Sequence, residues 1–286
     1  MNPVLASVAI ATLFLILLVL ERWMPLRPAR HSPLRRIAVN LMISVLAIGT
    51  AFALVRPAAG TAIQQAEALR FGLLYWIQLP RPFSVVAGLL LLDLSFYFWH
   101  LANHRVPLLW RLHVVHHIDP DLDVSTAFRF HFGEVALSAG FRVVQILLIG
   151  ASPLTFAIYE ILFQANTLFQ HSNVRLPISL ERVLSYALVT PRMHGIHHSM
   201  VQRETTSNFS VVFSCWDRLH RTLRLNVPQQ GIVIGIPAYA APADNAIGAL
   251  LRLPFHTQRY AWRQANGERV IRDEALVATS QTCLAA

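Results

Sequence analysis

Five apolar runs constrain this chain more than any other feature of its sequence. Val4 to Leu20 holds no charged residue and approaches the roughly 20 residues a helix needs to cross a bilayer. A second run goes from about Ile37 to Val55 and a third from about Phe83 to Trp99. After a polar, histidine-rich stretch come Val135 to Ile149 and Leu154 to Phe169, divided by Gly150-Ala151-Ser152-Pro153. That junction leaves room only for a tight turn, so the last two runs are expected to form a hairpin. Arg142 sits inside the fourth run and should face protein or snorkel to an interface.

Composition agrees with membrane embedding. Of 286 residues, 55% are hydrophobic and 14% charged, whereas a soluble domain carries about 25% charged residues. Mean hydropathy is +0.47. A disordered chain is excluded and an ordinary soluble enzyme is disfavoured. Two cysteines, Cys215 and Cys283, exclude a disulfide scaffold and a Cys-ligated zinc or iron–sulfur site. The first run could also be read as a signal peptide. No basic residue precedes it and Glu21-Arg22-Trp23 follows it, so the expectation is an uncleaved spanning helix.

The formal charge is +9, and every one of the 24 basic residues is arginine. Nucleic acid is set aside as a partner, because no RRM, KH or zinc-finger pattern accompanies the charge. Arg22, Arg27, Arg30, Arg35 and Arg36 crowd between the first two runs, the placement that the positive-inside rule produces. That loop is therefore assigned to the cytoplasm and the N-terminus to the outside. Two further crossings bring His100 to Glu134 to the cytoplasmic side, and the hairpin returns His171 and the remainder there. The expected architecture is an all-α integral membrane helical bundle of about four to five spanning helices. A cytoplasmic, histidine-rich helical cap completes it.

Eight of the 13 histidines fall in three groups. His100-x-x-x-His104 continues from the third run, and a spacing of four puts both rings on one helical face. Asp93 and Tyr97 share that face. A carboxylate within a spanning segment is a functional candidate, and its expected partner is an imidazole N–H that fixes the metal-binding tautomer. Pro107 ends that helix. His113-x-x-His116-His117 follows, and His194-x-x-His197-His198 repeats its spacing 81 positions later. In each triplet the three rings are expected on one face. A lone histidine such as His31, His220 or His256 is ordinarily a surface or capping group. Three clusters on one side of a membrane are difficult to obtain without a metal. Neutral imidazole is the commonest metal ligand, and eight exceed what one ion needs, so two ions are inferred. The His-Glu-x-x-His of zinc proteases is absent, as are the Glu-x-x-His pairs of soluble carboxylate-bridged bundles.

These residues resemble the fatty acid hydroxylase/sterol desaturase superfamily. Asp93-Leu-Ser-Phe-Tyr97-Phe-Trp-His100 is similar to its first box, and Trp110-Arg-Leu-His113-Val-Val-His116-His117 with Asp121-Leu-Asp-Val-Ser-Thr126 to its second. Arg129-Phe-His131-Phe-Gly-Glu134, Gln170-His171-Ser-Asn173 and Thr190-Pro-Arg-Met-His194 fit as well. The resemblance runs from about Leu90 to Leu225. It implies a histidine-ligated pair of iron ions that activates O₂ and oxidises a C–H bond of a membrane lipid, by hydroxylation or desaturation.

The resemblance makes His171 a further metal ligand and places His131 with the cofactor, its role as ligand, support or structural group left open. It adds Asp93, Tyr97 and Asn208 as catalytic candidates. Asn208 stands where the family has Asn-Tyr-Gly, and His220-Arg221-Thr222 replaces its usual Phe-Gly-Thr, which leaves the local turn geometry in question. The chain divides accordingly into an N-terminal transmembrane region at 1–82, a histidine-box catalytic domain at 83–225 and a cytoplasmic extension at 226–286.

Electrons are expected from a separate donor, because no Gly-x-Gly-x-x-Gly and too few cysteines occur. The arginine-rich face suits an acidic ferredoxin- or cytochrome-type reductase partner, and equally suits lipid headgroups. The expected location is a bacterial inner membrane. Two alternatives use the same histidines: a membrane metal transporter and a haem-type electron carrier.

Overall fold

The computed structural model describes residues 3–272, and among these no β-strand occurs. Helix α1 spans Pro3–Trp23, α2 Pro33–Thr50 and α3 Arg56–Leu69. The last two are joined by a π-helical turn at Ala51–Val55, where the Arg56 N–H reaches back five residues to the Ala51 carbonyl. Pro57 cannot donate to the helical ladder, and the widened turn before it lets the helix continue. The second run thus carries on well beyond Val55.

Next come α4 (Leu73–Ile77), α5 (Arg81–Arg105) and α6 (Pro107–His117), with the break at Val106 that Pro107 imposes. Helices α7 (Phe132–Ile149) and α8 (Pro153–His171) form the expected hairpin. Gly150 makes the turn at φ +69°, a left-handed conformation that glycine adopts freely. Gly72 lies against it, and a Cβ there would come within 2.5 Å of the Gly150 nitrogen.

Among the described residues, four stretches are long and apolar enough to cross a membrane: Val4–Trp23, Pro33–Ile77, Arg81–Arg105 and Phe132–Ile149. Helix α8, expected as a fifth span, is not among them, because Glu160, Asn166 and Gln170 interrupt its apolar residues. Glu160 pairs with Arg142, which also bonds Gln145 Oε1 at 2.9 Å and lies 4.3 Å over the Phe96 ring. Arg142 therefore faces protein. Between lipid-embedded helices such polar links and close packing replace exclusion of water as the cohesive force.

One end of the bundle gathers the C-terminal ends of α1, α5 and α8 and the N-terminal ends of α2 and α7. Glu21 Oε2 accepts the Val124 and Asn173 N–H groups, each at 3.0 Å, tying α1 to the cap. Arg36 of α2 binds Asp119 at 2.6 Å and also Asp123, while Asn40 bonds Asp119 and Ser125.

The cap holds α6, α9 (Ile178–Ala187), α10 (Pro191–His197), α11 (Gln202–Thr205), α12 (Cys215–Leu219) and α13 (Ile247–Arg252). Val114, Val115 and Ile118 pack with Ile43, Ile236, Tyr239 and Leu250; Ile196 packs with Leu122, Val227, Ile232 and Ile234. Each such burial from water contributes about 1.5–3 kcal/mol. Residues 227–262 are thus woven into the cap. Residues 273–286, with Cys283, lie outside the described residues.

Candidate metal centre

Nine imidazoles meet where the bundle joins the cap, in two groups. His100, His104, His113, His117 and His197 form the first; His116, His171, His194 and His198 form the second. Within each, the candidate ligand atoms all lie within 4.8 Å of one another.

Spacing along the chain does not explain this partition. In α6 the i and i+4 rings, His113 and His117, enter the first group while His116 enters the second. In α10 and its end the order reverses: His194 and His198 join the second group and His197 the first. The expectation placed three rings on one face and did not say how they divide. Each triplet gives two rings to one group and its middle ring to the other, so the groups are interlocked.

The tautomers follow from the outer shell. His100 Nδ1 donates to the Phe209 carbonyl at 2.8 Å, His116 to Arg129 at 3.2 Å, His171 to Thr167 at 2.7 Å and His197 to Ser207 at 2.7 Å. His113 Nδ1 donates to Glu134 Oε1 at 2.8 Å. Each proton sits on Nδ1, and each Nε2 keeps its lone pair for the interior.

Those inner nitrogens are what a cation requires. His171 Nε2 lies 3.0 Å from His116 Nε2 and 2.9 Å from His194 Nε2, which is 3.1 Å from His198 Nε2. Bare lone pairs at this range repel one another. Ligands about 2.1 Å from a common ion and at right angles would stand about 3.0 Å apart. In the first group the buried Nε2 atoms of His104, His113, His117 and His197 have no hydrogen-bond partner. Burial, and next their mutual proximity, holds His116, His117, His194 and His198 well below the ordinary imidazole range, and burial pushes His197 down to about 3. Neutral rings are ready to ligate. The residues present fit two transition-metal ions.

Other expected site residues lie elsewhere. His131 joins neither group. It caps α7, accepting the Gly133 N–H on Nδ1 at 3.0 Å and donating from Nε2 to the Leu251 carbonyl at 3.2 Å. Both ring nitrogens are used, so the cofactor-binding assignment is corrected to a structural one.

Asp93 does not meet an imidazole, and that expectation is corrected too. It accepts the Tyr159 hydroxyl at 3.0 Å, the Val212 and Phe213 N–H groups at 3.2 and 2.9 Å, and Trp216 Nε1 at 2.8 Å. Four donors have saturated the carboxylate before any histidine could reach it. Asp217 likewise accepts the Phe209 and Ser210 N–H groups at 2.8 and 2.9 Å. Together they fix the segment whose Ser207 and Phe209 carbonyls hold His197 and His100.

Tyr97 stacks on His220 at 4.6 Å and meets Thr222 Oγ1 at 3.0 Å, outside the histidine groups. Asn208 takes φ +55° and its amide donates to the Met193 and Arg224 carbonyls, each at 2.8 Å, anchoring α10 just before His194. Arg221, where the family carries glycine, takes φ +59°. The turn geometry is kept at the cost of strain, about 1–2 kcal/mol for a side-chain-bearing residue.

The Fatty acid hydroxylase family model matches residues 85–222. An ornithine lipid hydroxylase of Rhizobium tropici is 30% identical over 83% of this chain and 70% of its own length. The chain belongs to the fatty acid hydroxylase family. Human cholesterol 25-hydroxylase is 29% identical over 48% of this chain, and human alkylglycerol monooxygenase 28% over 49%. This chain spans 49% and 31% of those two relatives. No solved structure gives a significant match. A fatty acid hydroxylase of this kind is a membrane-bound, metal- and O₂-using oxidoreductase, which sets aside the transporter and haem-carrier alternatives.

Glu134, the partner of His113, closes one of the motifs quoted above but was given no role by sequence reasoning. Its signal was an acid in the first turn of an apolar helix, three residues after His131.

Proposed function

We propose that this fatty acid hydroxylase holds two iron ions, one in each histidine group, and uses O₂ to hydroxylate a C–H bond of a membrane lipid. The single observation behind the reading is the interlocked pair of imidazole groups with inward lone pairs. When bound, such a metal pair would activate O₂, the oxidant for an unactivated C–H bond. Hydroxylation is preferred to desaturation because the relatives compared above are named hydroxylases or monooxygenases. Electrons come one at a time from a separate acidic ferredoxin- or cytochrome-type donor.

The chain's own residues do three things. Carbonyls of Phe209, Arg129, Thr167 and Ser207, with Glu134, hold the rings and their tautomers. Burial keeps water from the inner nitrogens and limits loss of the oxidant. The centre stands at the bundle's end, where a lipid entering from the bilayer meets the cap. The arginines crowded before α2 favour the cytoplasmic side of a bacterial inner membrane for that end.

Protein expressed in iron-replete cells should carry about two iron ions per chain, and His194→Ala should lower that content. Lipid mass spectrometry of cells with and without the gene should show one lipid gaining a single oxygen atom. Iron-free protein together with an unchanged lipid profile would overturn the reading.

A further inference from the structure

Where α1 gives way to α2, a basic pocket sits beside an apolar groove. The groove, about 400 Å³, is lined by Leu18, Val19 and Trp23 of α1 and by Leu34 and Ile37 of α2. Trp23 and Leu34 are 78% and 81% exposed, normal for side chains at a bilayer interface and unfavourable in water. Helix α1 packs on α8 and α2 on α7, which leaves the groove between them open. Arg22 and Pro33 line both the groove and the pocket above it, which adds Arg27, Arg30 and Arg36.

Arg27 sets this pocket apart. Its side chain is only 4% exposed, and Nη1 donates to the Pro191 carbonyl at 3.3 Å and Gln229 Oε1 at 2.7 Å, both neutral. Nε and Nη2 have no partner. A buried guanidinium without a counter-charge is costly. The acids here are engaged elsewhere: of the two that line the pocket, Asp121 accepts the Arg30 and His31 N–H groups and Asp123 is bound by Arg36 and, at 3.4 Å, by Arg22, while Glu181 pairs with Arg192.

We propose that an anionic phospholipid occupies this place, its phosphate on Arg27, Arg22 and Arg30 and an acyl chain along the α1–α2 groove. Charge complementarity above and an apolar channel below select a lipid over a soluble anion. The site also bears on the metal centre: a Cβ at Gly195, between His194 and His197, would meet Arg27 Nη1 at 2.1 Å. A lipid on Arg27 therefore steadies the helix that supplies those two rings.

Native mass spectrometry of the delipidated, detergent-solubilised full chain tests this. The probes are phosphatidylglycerol, phosphatidylcholine and inorganic phosphate. Phosphatidylglycerol should be retained about tenfold more tightly than phosphatidylcholine, and Arg27→Gln should remove most of that preference, the loss expected of one charge-assisted contact. Ile37→Trp, which fills the groove without touching Arg27, should weaken retention as well. If Arg27→Gln fails to fold, Ile37→Trp and the exposed Arg30→Gln carry the test, each weakening retention. Equal retention of the two lipids, retention unaffected by these substitutions, or displacement by equimolar inorganic phosphate would overturn the proposal. Binding is read with or without iron, so a negative result here leaves the hydroxylase reading untouched.

Discussion

His113 Nδ1 lies 2.8 Å from Glu134 Oε1, and both side chains are buried. This bond joins α6 to the first turn of α7 and fixes the tautomer of one metal-facing ring. Partners of this kind typically change metal affinity or activity by about 10–100-fold when removed. Glu134→Ala should lower iron occupancy by that order and Glu134→Gln, which can still accept the bond, by less. Metal analysis beside a circular dichroism spectrum checks both. Full iron in Glu134→Ala would show that the carboxylate does not position the ring.

Asp93 is expected to act on the site only through the backbone it holds. Asparagine in its place turns an amide N–H₂ toward donors, leaving buried groups unsatisfied at about 1–3 kcal/mol each. Asp93→Asn should therefore lower the melting temperature in detergent, and any iron loss should track that destabilisation. Normal stability with iron absent would instead restore a direct role at the metal.

The two histidines supplied outside the three clusters should behave oppositely. His171→Ala should deplete iron, because it removes one of four rings from the second group. His131→Ala should keep its iron and lose about 0.5–2 kcal/mol of stability, the usual range for a helix N-cap. Iron titration of both variants separates them. Equal depletion would contradict the assignment of His131.

Acid should release the metal. Burial pushes His197 down to about 3 from an ordinary 6.5, so between those values the unfolded chain takes up a proton that the folded one refuses. His116, His117, His194 and His198 shift in the same direction. Stability from these groups is complete above about pH 6.5 and is lost as pH falls toward about 3. Protons compete with metal for the same lone pairs. Melting temperature and iron content, followed after dialysis from pH 8 to 4.5, should hold above about 6.5 and fall together below it. Iron retained in full at pH 4.5 would contradict this.

The apolar runs, the break at Pro107 and the α7–α8 hairpin were legible in the sequence. Each depends on local composition or on residues a few positions apart. Histidine spacing likewise revealed an array too dense for one ion. Sequence could not tell that His116 and His197 cross to the opposite groups, because helical spacing fixes a ring's direction only about its own axis. How α6 and α10 are set around the centre decides which group that direction meets. Nor could it tell that Asp93 is satisfied by residues 212–216 or that His131 has both nitrogens engaged. Those partners lie up to 123 positions away, and only the packed fold brings them within hydrogen-bond range.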